Sequence, residues 1–504
     1  MTSRYIWRCV LASVLLAGTA ARGQQQLAAV QPVALTEYAA RRAALGVMAG
    51  DGAVVVLGKP EPQYDHEYFA QSPHLRYLTG WNAPFSALLI LRSGASQREF
   101  LFTPARNPAT EVWTGTVPSF SDAQRLSGLP TRDIAELTML CDSLLNEHVS
   151  MRIIGELDGP SSQLADAISI DRAFMMALAK KHPDASLSDG NRLVLKLRGQ
   201  KSAAELALLQ AAIDVTVRAH EEVMRMLTPG WNEFEVQALV EYTFRRNGAD
   251  RPGFTTIAGS GDNATTLHYW RNDRVMQAGE LIVMDIGASY GGYSADVTRT
   301  VPVSGSFTTG QRAIYDLVRK AQQASEQATR VGADRSAPEF ATVETLARGL
   351  ASLGLIEAPT ATYDCDMTGQ QQCPQVRLYY MHGVGHGIGL DVHDPDMSDG
   401  AAWVAGSVIT IEPGVYVRRN MAEVLPDTPR NRVFLSHVSG AVAKYAGIGV
   451  RIEDDYLLTP TGLTWLSRLP REASEIEALM HAPRAASPLP RDAAWVERYR
   501  RGIP

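Results

Sequence analysis

The chain has 504 residues, of which 45% are hydrophobic and 20% are charged. This composition is typical of a soluble globular protein, and the length is sufficient for more than one domain. The net charge of −6 and the pI of about 6.0 give no indication of the basic face that nucleic-acid binding usually requires, so no nucleic-acid partner is expected.

The N-terminus departs from this average composition. Arg4 and Arg8 precede an apolar run at residues 10–21 that ends in small residues, a pattern typical of a secretory signal peptide. A membrane anchor is the alternative, but crossing a bilayer requires about 20 apolar residues and this run is shorter. We therefore predict that residues 1–23 are removed and that the mature protein is periplasmic or secreted, with no integral membrane segment.

Three cysteines remain after such a cleavage. Cys365 and Cys373 flank a polar loop, and in an oxidising compartment this spacing can close a small disulfide. Three free thiols are the alternative. Cys141 is then an unpaired thiol that is expected to be buried rather than reactive.

The first part of the mature chain, residues 24–190, is expected to form an α/β unit with its own core after a flexible lead-in at 24–33. The apolar runs AVVVLG and ALLILR and the segment QREFLFTP are typical of strands. The stretch from residue 161 to residue 182 is typical of helices.

A second α/β unit is expected at residues 195–480, beyond a boundary near 188–200. Its predicted elements in chain order are a long amphipathic helix that starts near residue 194 and stops at Pro229-Gly230, a helix that stops at Asn247-Gly248, strands from about 254 to 303, helices at 308–330 and 338–353, and strands from 376 to about 460. The Pro- and Arg-rich tail, residues 481–504, is expected to be peripheral.

The strand region from 254 to 303 contains a pair of aspartates. Asp285 follows an apolar run, Asp296 precedes another, and the YGGY sequence between them is typical of a tight hairpin. An even-membered loop puts both side chains on one face of the hairpin, where two carboxylates repel each other unless a cation lies between them. The alternative is a turn cap and a surface ion pair, but Asp285 is expected deep in a sheet, where an unpaired carboxylate is costly.

A glycine-rich segment, HGVGHGIGLDVHD, follows. It contains His382, His386 and His393, interleaved with glycines that let the backbone pass close to a neighbour. A lone histidine is most often a core or surface residue, but three within twelve positions are less easily explained in that way. The spacing is not HExxH, so a zincin helix is excluded.

Two glutamates lie in apolar, strand-like segments further along, Glu412 in ITIEPGVY and Glu453 in GVRIEDD. Taken singly, each reads as a strand-edge residue. Arg451 is two residues before Glu453 and is expected on the same strand face. With the two aspartates and His386, these glutamates make an oxygen-rich set that suits Mn²⁺ better than a thiol-preferring metal.

The order Asp, Asp, His, Glu, Glu in these contexts resembles the pita-bread metallopeptidases, which include methionine aminopeptidase, aminopeptidase P and prolidase. The likeness covers about 200–480. Residues 24–190 also resemble the N-terminal domain of aminopeptidase P and prolidase, at YFAQSPHLRYLTGW and LFTPARNPATEVWTG. The resemblance implies a creatinase-like α/β domain followed by a pita-bread catalytic domain, and a homo-oligomer, either a dimer or a tetramer.

The resemblance also implies a ligand set for two divalent metal ions, with Mn²⁺ expected and Zn²⁺ or Co²⁺ as alternatives. Asp285 would bind one ion through both oxygens, Asp296 and Glu453 would bridge the two ions, and His386 and Glu412 would complete the other site. A water or hydroxide between the ions would be the nucleophile, and Glu412 would orient and deprotonate it.

Further roles follow from the same resemblance. His268 matches a histidine on the substrate side, and His393 matches the residue that stabilises the tetrahedral intermediate or relays a proton. His382 would line the pocket, Arg451 would orient the second glutamate ligand, and Tyr416 would contact this group of residues.

The implied reaction is hydrolysis of the bond between the first residue and a proline at the second position of a peptide. A dipeptidase must also bind the free carboxylate of the proline, typically with an arginine. No Arg or Lys lies between His393 and Glu412, which favours the aminopeptidase over the alternative, a prolidase. Four arginines in the long segment 417–446 are the other candidates for such a contact: Arg418, Arg419, Arg430 and Arg432.

A non-catalytic pita-bread protein is the remaining alternative, because some members of the fold bind no metal. Such a protein would be expected to have lost ligands, whereas this chain retains all five.

Overall fold

The computed structural model describes residues 33–62, 68–109, 111–157, 168–396, 400 and 402–483. The predicted signal peptide, nearly all of the lead-in and most of the predicted tail lie outside the described residues. In the part of the chain that is described, no helix is long and apolar enough to cross a membrane.

The first unit is built on one mixed sheet. Its elements are α1 (Leu35–Ala49), β1 (Gly52–Leu57), α2 (Pro73–Thr79), β2 (Ala87–Ser93), β3 (Ser96–Thr103), α3 (Glu111–Thr114), α4 (Phe120–Ser127), β4 (Thr131–Asp133), α5 (Leu137–Asn146), β5 (Met151–Ile154), α6 (Ile170–Lys181), β6 (Leu187–Asp189) and α7 (Asn191–Arg198). The sheet order is β4-β3-β2-β1-β5-β6, with β1 antiparallel to β2 and parallel to β5.

The two faces of this sheet are buried against different partners. Along β1, Val55 belongs to a core confined to the first unit, whereas Val54 and Val56 belong to the large core that extends through the rest of the molecule. Side chains alternate between the faces of a strand, so the expected separate core covers one face only. The other face is buried in the large core together with the second unit.

The second unit contains several small sheets packed against long helices. Its elements are α8 (Ala203–Met226), α9 (Glu233–Arg246), β7 (Arg251–Pro252), β8 (Ile257–Ser260), β9 (Leu281–Ile286), β10 (Ala288–Tyr290), β11 (Tyr293–Ser294), β12 (Val297–Pro302), α10 (Thr309–Ala328), α11 (Ala337–Ser352), β13 (Thr362–Asp364), β14 (Gln372–Pro374), β15 (Val408–Ile411), β16 (Gly414–Val417), α12 (Pro429–Tyr445), β17 (Ile448–Arg451), β18 (Asp454–Thr459), β19 (Gly462–Trp465) and α13 (Ala473–His481). β17 lies beside both β9 and β12.

The helix predicted from residue 194 to Pro229 is in fact two helices. α7 ends at Arg198, and α8 begins at Ala203 with a capping box in which the Ser202 side chain accepts from the backbone of Glu205 and the Glu205 side chain accepts from the backbone of Ser202. A serine followed three residues later by glutamate favours a helix start, and here it outweighs the continuous apolar periodicity.

The strands predicted from 376 to 460 are interrupted twice. The segment between residue 379 and residue 407 is mostly irregular, and residues 429–445 form α12. Thr428 caps this helix by accepting a hydrogen bond from the backbone of Asn431, and Pro429 occupies its first position, where proline is well tolerated. Phe434, Val438 and Tyr445 are buried on one face of this helix, at a helical spacing that the strand prediction overlooked.

The cysteine prediction is confirmed. Cys365 and Cys373 are joined by a disulfide that ties the antiparallel β13 and β14 together. Cys141 is free and buried, and burial raises the pKa of its thiol to about 12, which disfavours the reactive thiolate.

Candidate metal centre and active site

The paired aspartates lie on one hairpin, as their spacing predicted. β9 and β12 pair with Asp285 opposite Thr298, and Gly291 and Gly292 at the turn both have positive φ angles, 61° and 89°, which only glycine adopts without strain. Asp296 precedes Thr298 by two residues and therefore shares its face. Both aspartates are buried and line one cavity of about 720 Å³.

Glu453 is held at the same cavity by its contacts with Thr298. The two residues form an isolated antiparallel bridge, and the Thr298 hydroxyl donates a 2.6 Å hydrogen bond to Oε2 of Glu453. Thr298 thus stands between Asp285 on one side and Glu453 on the other. The sequence interpretation had missed this role, although Thr298 lies two residues after Asp296 and therefore on the same face of a predicted strand.

His386 is held at the cavity by the glycine-rich segment. Its backbone N–H donates to the Thr410 hydroxyl, and its carbonyl accepts from the Thr410 N–H at 2.8 Å. A Cβ added at Gly385 would come within 2.1 Å of the Thr410 carbonyl oxygen, so only glycine allows this approach. Glu412 follows β15 two residues after Thr410 and turns into the same cavity.

Three of the four predicted carboxylate ligands converge around the His386 ring. Nε2 of His386 lies 3.5 Å from Oδ2 of Asp296, 3.5 Å from Oε1 of Glu412 and 3.9 Å from Oε1 of Glu453. Ligand atoms of Asp296, His386 and Glu453 all lie within 4.8 Å of one another.

These carboxylates lack enough counter-charge. Oδ1 of Asp285, Oδ1 of Asp296 and Oε1 of Glu453 are buried with no hydrogen-bond partner among the described residues. Burial, and then the charge of neighbouring carboxylates, raises the pKa of Asp296 and of Glu453 well above the usual range, and burial raises the pKa of Glu412 to about 8. Divalent cations would supply the missing positive charge, so the residues present fit a metal centre.

The candidate histidine ligand, His386, has the neutral form that metal binding requires. Burial lowers the pKa of His386 to about 4, so the ring is neutral at neutral pH, and Nδ1 lies 3.0 Å from the carbonyl oxygen of Gly387. With Nδ1–H donating to that carbonyl, Nε2 is left to face the carboxylates as a ligand.

Arg451 contacts a different carboxylate from the one predicted. Its Nη2 donates to Oδ2 of Asp285 at 2.6 Å and its Nη1 donates to the Tyr416 hydroxyl at 2.8 Å. It reaches Glu453 only indirectly, through a 3.4 Å contact with the Thr298 hydroxyl. The prediction that Arg451 orients Glu453 is therefore corrected, because its guanidinium anchors Asp285.

Tyr416 links Arg451 to His382. Nε2 of His382 lies 2.9 Å from the Tyr416 hydroxyl, and Nδ1 lies 2.8 Å from the Gly383 carbonyl oxygen. Burial, and then the charge of Arg451, lowers the pKa of His382 to about 4. The neutral ring donates a hydrogen bond from Nδ1 and accepts one from the tyrosine hydroxyl at Nε2. His382 therefore lines the cavity as predicted, with its ring in a fixed orientation.

The rim of the cavity contains the remaining predicted histidines. His268 and His393 are both exposed and both line the cavity, and the ring of His393 packs edge-on against that of His386 with centroids 4.3 Å apart. An apolar wall completes the lining, and the sequence interpretation had not identified it: Phe254, Ile257, Leu267, Trp270 and Val392. Trp270 is 66% exposed.

The arginines of segment 417–446 do not reach this site. Three of them pair elsewhere, Arg419 with Asp262, Arg430 with Glu357 and Arg432 with Asp427. Among the described residues that line the cavity, the only arginine is Arg451, and its guanidinium already contacts Asp285. The hypothesis that one of the four arginines binds a substrate carboxylate here finds no support in the structure.

The chain matches known sequence families over most of its length. Metallopeptidase family M24 matches residues 207–460, and the N-terminal domain of aminopeptidase P matches residues 38–153. The Xaa-Pro aminopeptidase of Escherichia coli (strain K12) is 32% identical over 461 residues, covering 89% of this chain and 98% of that protein. The Xaa-Pro aminopeptidase of Haemophilus influenzae is 30% identical over 418 residues, covering 82% and 89%.

Solved structures show the same likeness. Zinc-substituted E. coli aminopeptidase P in complex with product superposes with a TM-score of 0.74 at 28% identity, covering 89% of this chain and 99% of that one. The E. coli enzyme with the inhibitor Pro-Leu gives a TM-score of 0.74 at 29% identity with the same coverage.

Proposed function

The chain belongs to metallopeptidase family M24 and is a metallo-exopeptidase, and we propose that it cleaves the bond between the first residue and a proline at the second position of peptides, with two divalent cations. The relatives named above are Xaa-Pro aminopeptidases, and the expected architecture, an aminopeptidase P-type N-terminal domain before a pita-bread catalytic domain, is confirmed. Mn²⁺ is the proposed native ion, because the donor set is rich in oxygen and contains no thiolate.

The observation on which the proposal rests is the group of buried, unpartnered carboxylate oxygens from Asp285, Asp296 and Glu453 beside a neutral His386. With Glu412, these side chains would hold the cations. When bound, the cations supply Lewis-acid activation of water and of the scissile carbonyl. Oxygens of Asp296 and Glu453 lie 3.5 Å and 3.9 Å from Nε2 of His386, so these three side chains would hold a cation together.

Glu412 is placed to move a proton. It is partly exposed to the cavity, and one oxygen lies 3.5 Å from Nε2 of His386. In the proposed reaction Glu412 accepts a proton from the attacking water and passes it to the proline nitrogen when the C–N bond breaks. His393 and His268 at the rim would donate hydrogen bonds to the carbonyl oxygen as it gains charge.

The apolar wall supports a proline substrate. A bond to proline is a tertiary amide, so the site gains nothing from an N–H donor and must recognise the pyrrolidine ring by apolar contact. Phe254, Trp270 and Val392 provide such a surface beside the ligand side chains. The absence of an uncommitted arginine among the described lining residues favours longer peptides over free dipeptides.

Hydrolysis of Ala-Pro and Ala-Pro-Ala by protein loaded with Mn²⁺ tests the proposal. We expect faster turnover of the tripeptide. Faster turnover of the dipeptide would make the protein a prolidase instead. Protein that binds no metal and cleaves neither peptide would be a non-catalytic member of the fold.

Export and assembly are proposed on separate grounds. The sequence of residues 1–23 supports removal of a signal peptide and a periplasmic or secreted protein, and the disulfide between Cys365 and Cys373 suits an oxidising compartment. N-terminal sequencing of the mature protein tests the cleavage, and sedimentation analysis tests for the dimer or tetramer that the family resemblance favours.

A further inference from the structure

A buried ion network lies where the first unit meets the glycine-rich segment. Arg198, at the end of α7, donates to carboxylate oxygens of Asp391 and Asp394, and Lys201 donates to the second oxygen of Asp394 at 2.8 Å. Lys201 also donates to the carbonyl of Pro395 at 3.0 Å. Arg198, Lys201 and Asp394 are 2%, 6% and 5% exposed, so these charges are removed from water.

The network ties Asp394 to the first unit. The pKa of Asp394 lies below its usual range because Arg198 and Lys201 together outweigh the effect of burial, which acts in the opposite direction. His74 of α2 contacts Arg198 through Nδ1 at 3.0 Å. Burial, and then the charge of Arg198, lowers the pKa of His74 to about 3. Its neutral ring therefore accepts a hydrogen bond from the guanidinium group.

Asp394 directly follows His393 in the chain. Its backbone N–H donates to the carbonyl of Gly387 at 2.8 Å, which closes the loop from His386 to Asp394. The side chain of Asp394 also accepts from the Asp391 N–H at 3.1 Å. Both ends of this loop are therefore fixed, one by β15 and the other by the Asp394 carboxylate.

The ring of His393 is exposed and packs against His386. An exposed ring with such a contact owes its position largely to the backbone that carries it. Catalytic groups must be held within a fraction of an ångström of their productive positions. Asp394 lies one residue away, and its carboxylate accepts hydrogen bonds from two cationic side chains. These bonds restrain the backbone beside His393 more than the contacts of an exposed loop would.

We propose that Arg198 and Lys201 are positioning residues that fix the catalytic His393 through Asp394. The inference rests on the proposed function, in which His393 donates to the developing oxyanion. Neither cation lines the catalytic cavity, so both act through the carboxylate and not on the substrate.

A double-mutant cycle on the holoenzyme tests this role. Lys201→Met should lower kcat for Ala-Pro-Ala about tenfold with KM within about twofold, because a loosened histidine harms the transition state more than substrate binding. In a His393→Ala background the same substitution should change kcat less than about twofold. Multiplicative losses in the two backgrounds would overturn the inference.

Matched variants separate positioning from general damage. Lys201→Arg keeps the charge and should restore most of kcat. Arg335→Met removes the cation paired with Asp396, two residues beyond Asp394, and should leave kcat unchanged. Metal content and thermal unfolding are measured for each variant, and a loss of bound metal in Lys201→Met would assign the effect to the metal centre and overturn the inference.

Two outcomes distinguish the levels of the proposal. A wild-type protein that does not cleave Ala-Pro-Ala contradicts the proposed function itself. An active wild type with additive free-energy losses contradicts only the positioning role. If Lys201→Met does not fold, Arg198→Lys enters the same cycle, since it retains the charge and loses the double contact with Asp391 and Asp394.

Discussion

Arg451 donates a 2.6 Å hydrogen bond to Asp285, and the same guanidinium donates to Tyr416 at 2.8 Å. One oxygen of Asp285 is therefore already used, while the other is buried and unpartnered. The arginine orients the carboxylate and contributes positive charge to a site with several carboxylates. This is the usual function of residues that hydrogen-bond to metal ligands without binding the metal themselves.

Arg451→Lys should weaken metal binding by about tenfold or more, because an ammonium group cannot contact Asp285 and Tyr416 in the same planar geometry. Metal titration of chelator-treated protein measures the effect. Arg419→Lys, which alters an exposed pair with Asp262, is the control. Equal affinities in the Arg451 variant and the wild type would contradict the anchoring role.

Asp296→Asn should abolish peptidase activity and leave a folded protein. The substitution removes one of the unpartnered buried carboxylates and its repulsion with Glu453. Without metal, the variant should melt at the same temperature as the metal-free wild type or above it, and Mn²⁺ should stabilise the wild type more than the variant. Differential scanning calorimetry with and without Mn²⁺ measures both effects. Substantial residual turnover would show that Asp296 is not an essential ligand.

Glu357 should make stability depend on pH. The hydrogen bond from Arg430 lowers its pKa to about 2, against the opposing effect of burial, and His437 adds to the lowering. A folded-state pKa below the unfolded value of about 4.3 stabilises the protein above that pH, and the stabilisation is lost as pH falls towards 2. Glu357→Gln should therefore lower the melting temperature at pH 7, with a smaller difference at pH 3.

The control for Glu357 is Glu423→Gln, at an exposed glutamate. This variant should melt close to the wild type at both pH values. A difference for Glu357→Gln that stays constant between pH 7 and pH 3 would mean that packing, and not charge, accounts for its effect.

The disulfide should stabilise the hairpin of β13 and β14. Replacing Cys365 and Cys373 with serine should reduce the free energy of unfolding by about 2.5 kcal/mol, the loop-entropy value for so short a ring. Denaturant unfolding measures this change. Dithiothreitol should lower the stability of the wild type to that of the double variant and have no effect on the variant itself. Equal stability of oxidised and reduced wild type would contradict the prediction.

The sequence predicted the features that depend on local spacing. The alternation of side chains along the two strands was enough to place Asp285 and Asp296 on one face, since the YGGY turn and two apolar runs determine the register. The positions of His386 and Glu412 followed from family likeness, and the structure brings both to the hairpin.

Contacts between distant segments could not be predicted in this way. Residues 451 and 453 lie on the same face of the chain, but this alternation does not determine which carboxylate a long arginine side chain will contact. Arg451 contacts Asp285, because β17 lies beside β9. The role of Thr298 depends on a bridge to Glu453 from 155 residues further along the chain. The network of Arg198, Lys201 and Asp394 likewise joins segments more than 190 residues apart.

Two residues of the apolar wall, Phe254 and Trp270, come from a different stretch of the chain than the candidate ligand side chains. Both precede Asp285, the first candidate ligand in the chain. Substitutions at these two positions are therefore expected to change the peptides accepted more than the affinity for metal. An engineer could randomise residues 254 and 270 to alter which peptides are accepted while leaving the hydrolytic centre intact, and natural divergence could follow the same route.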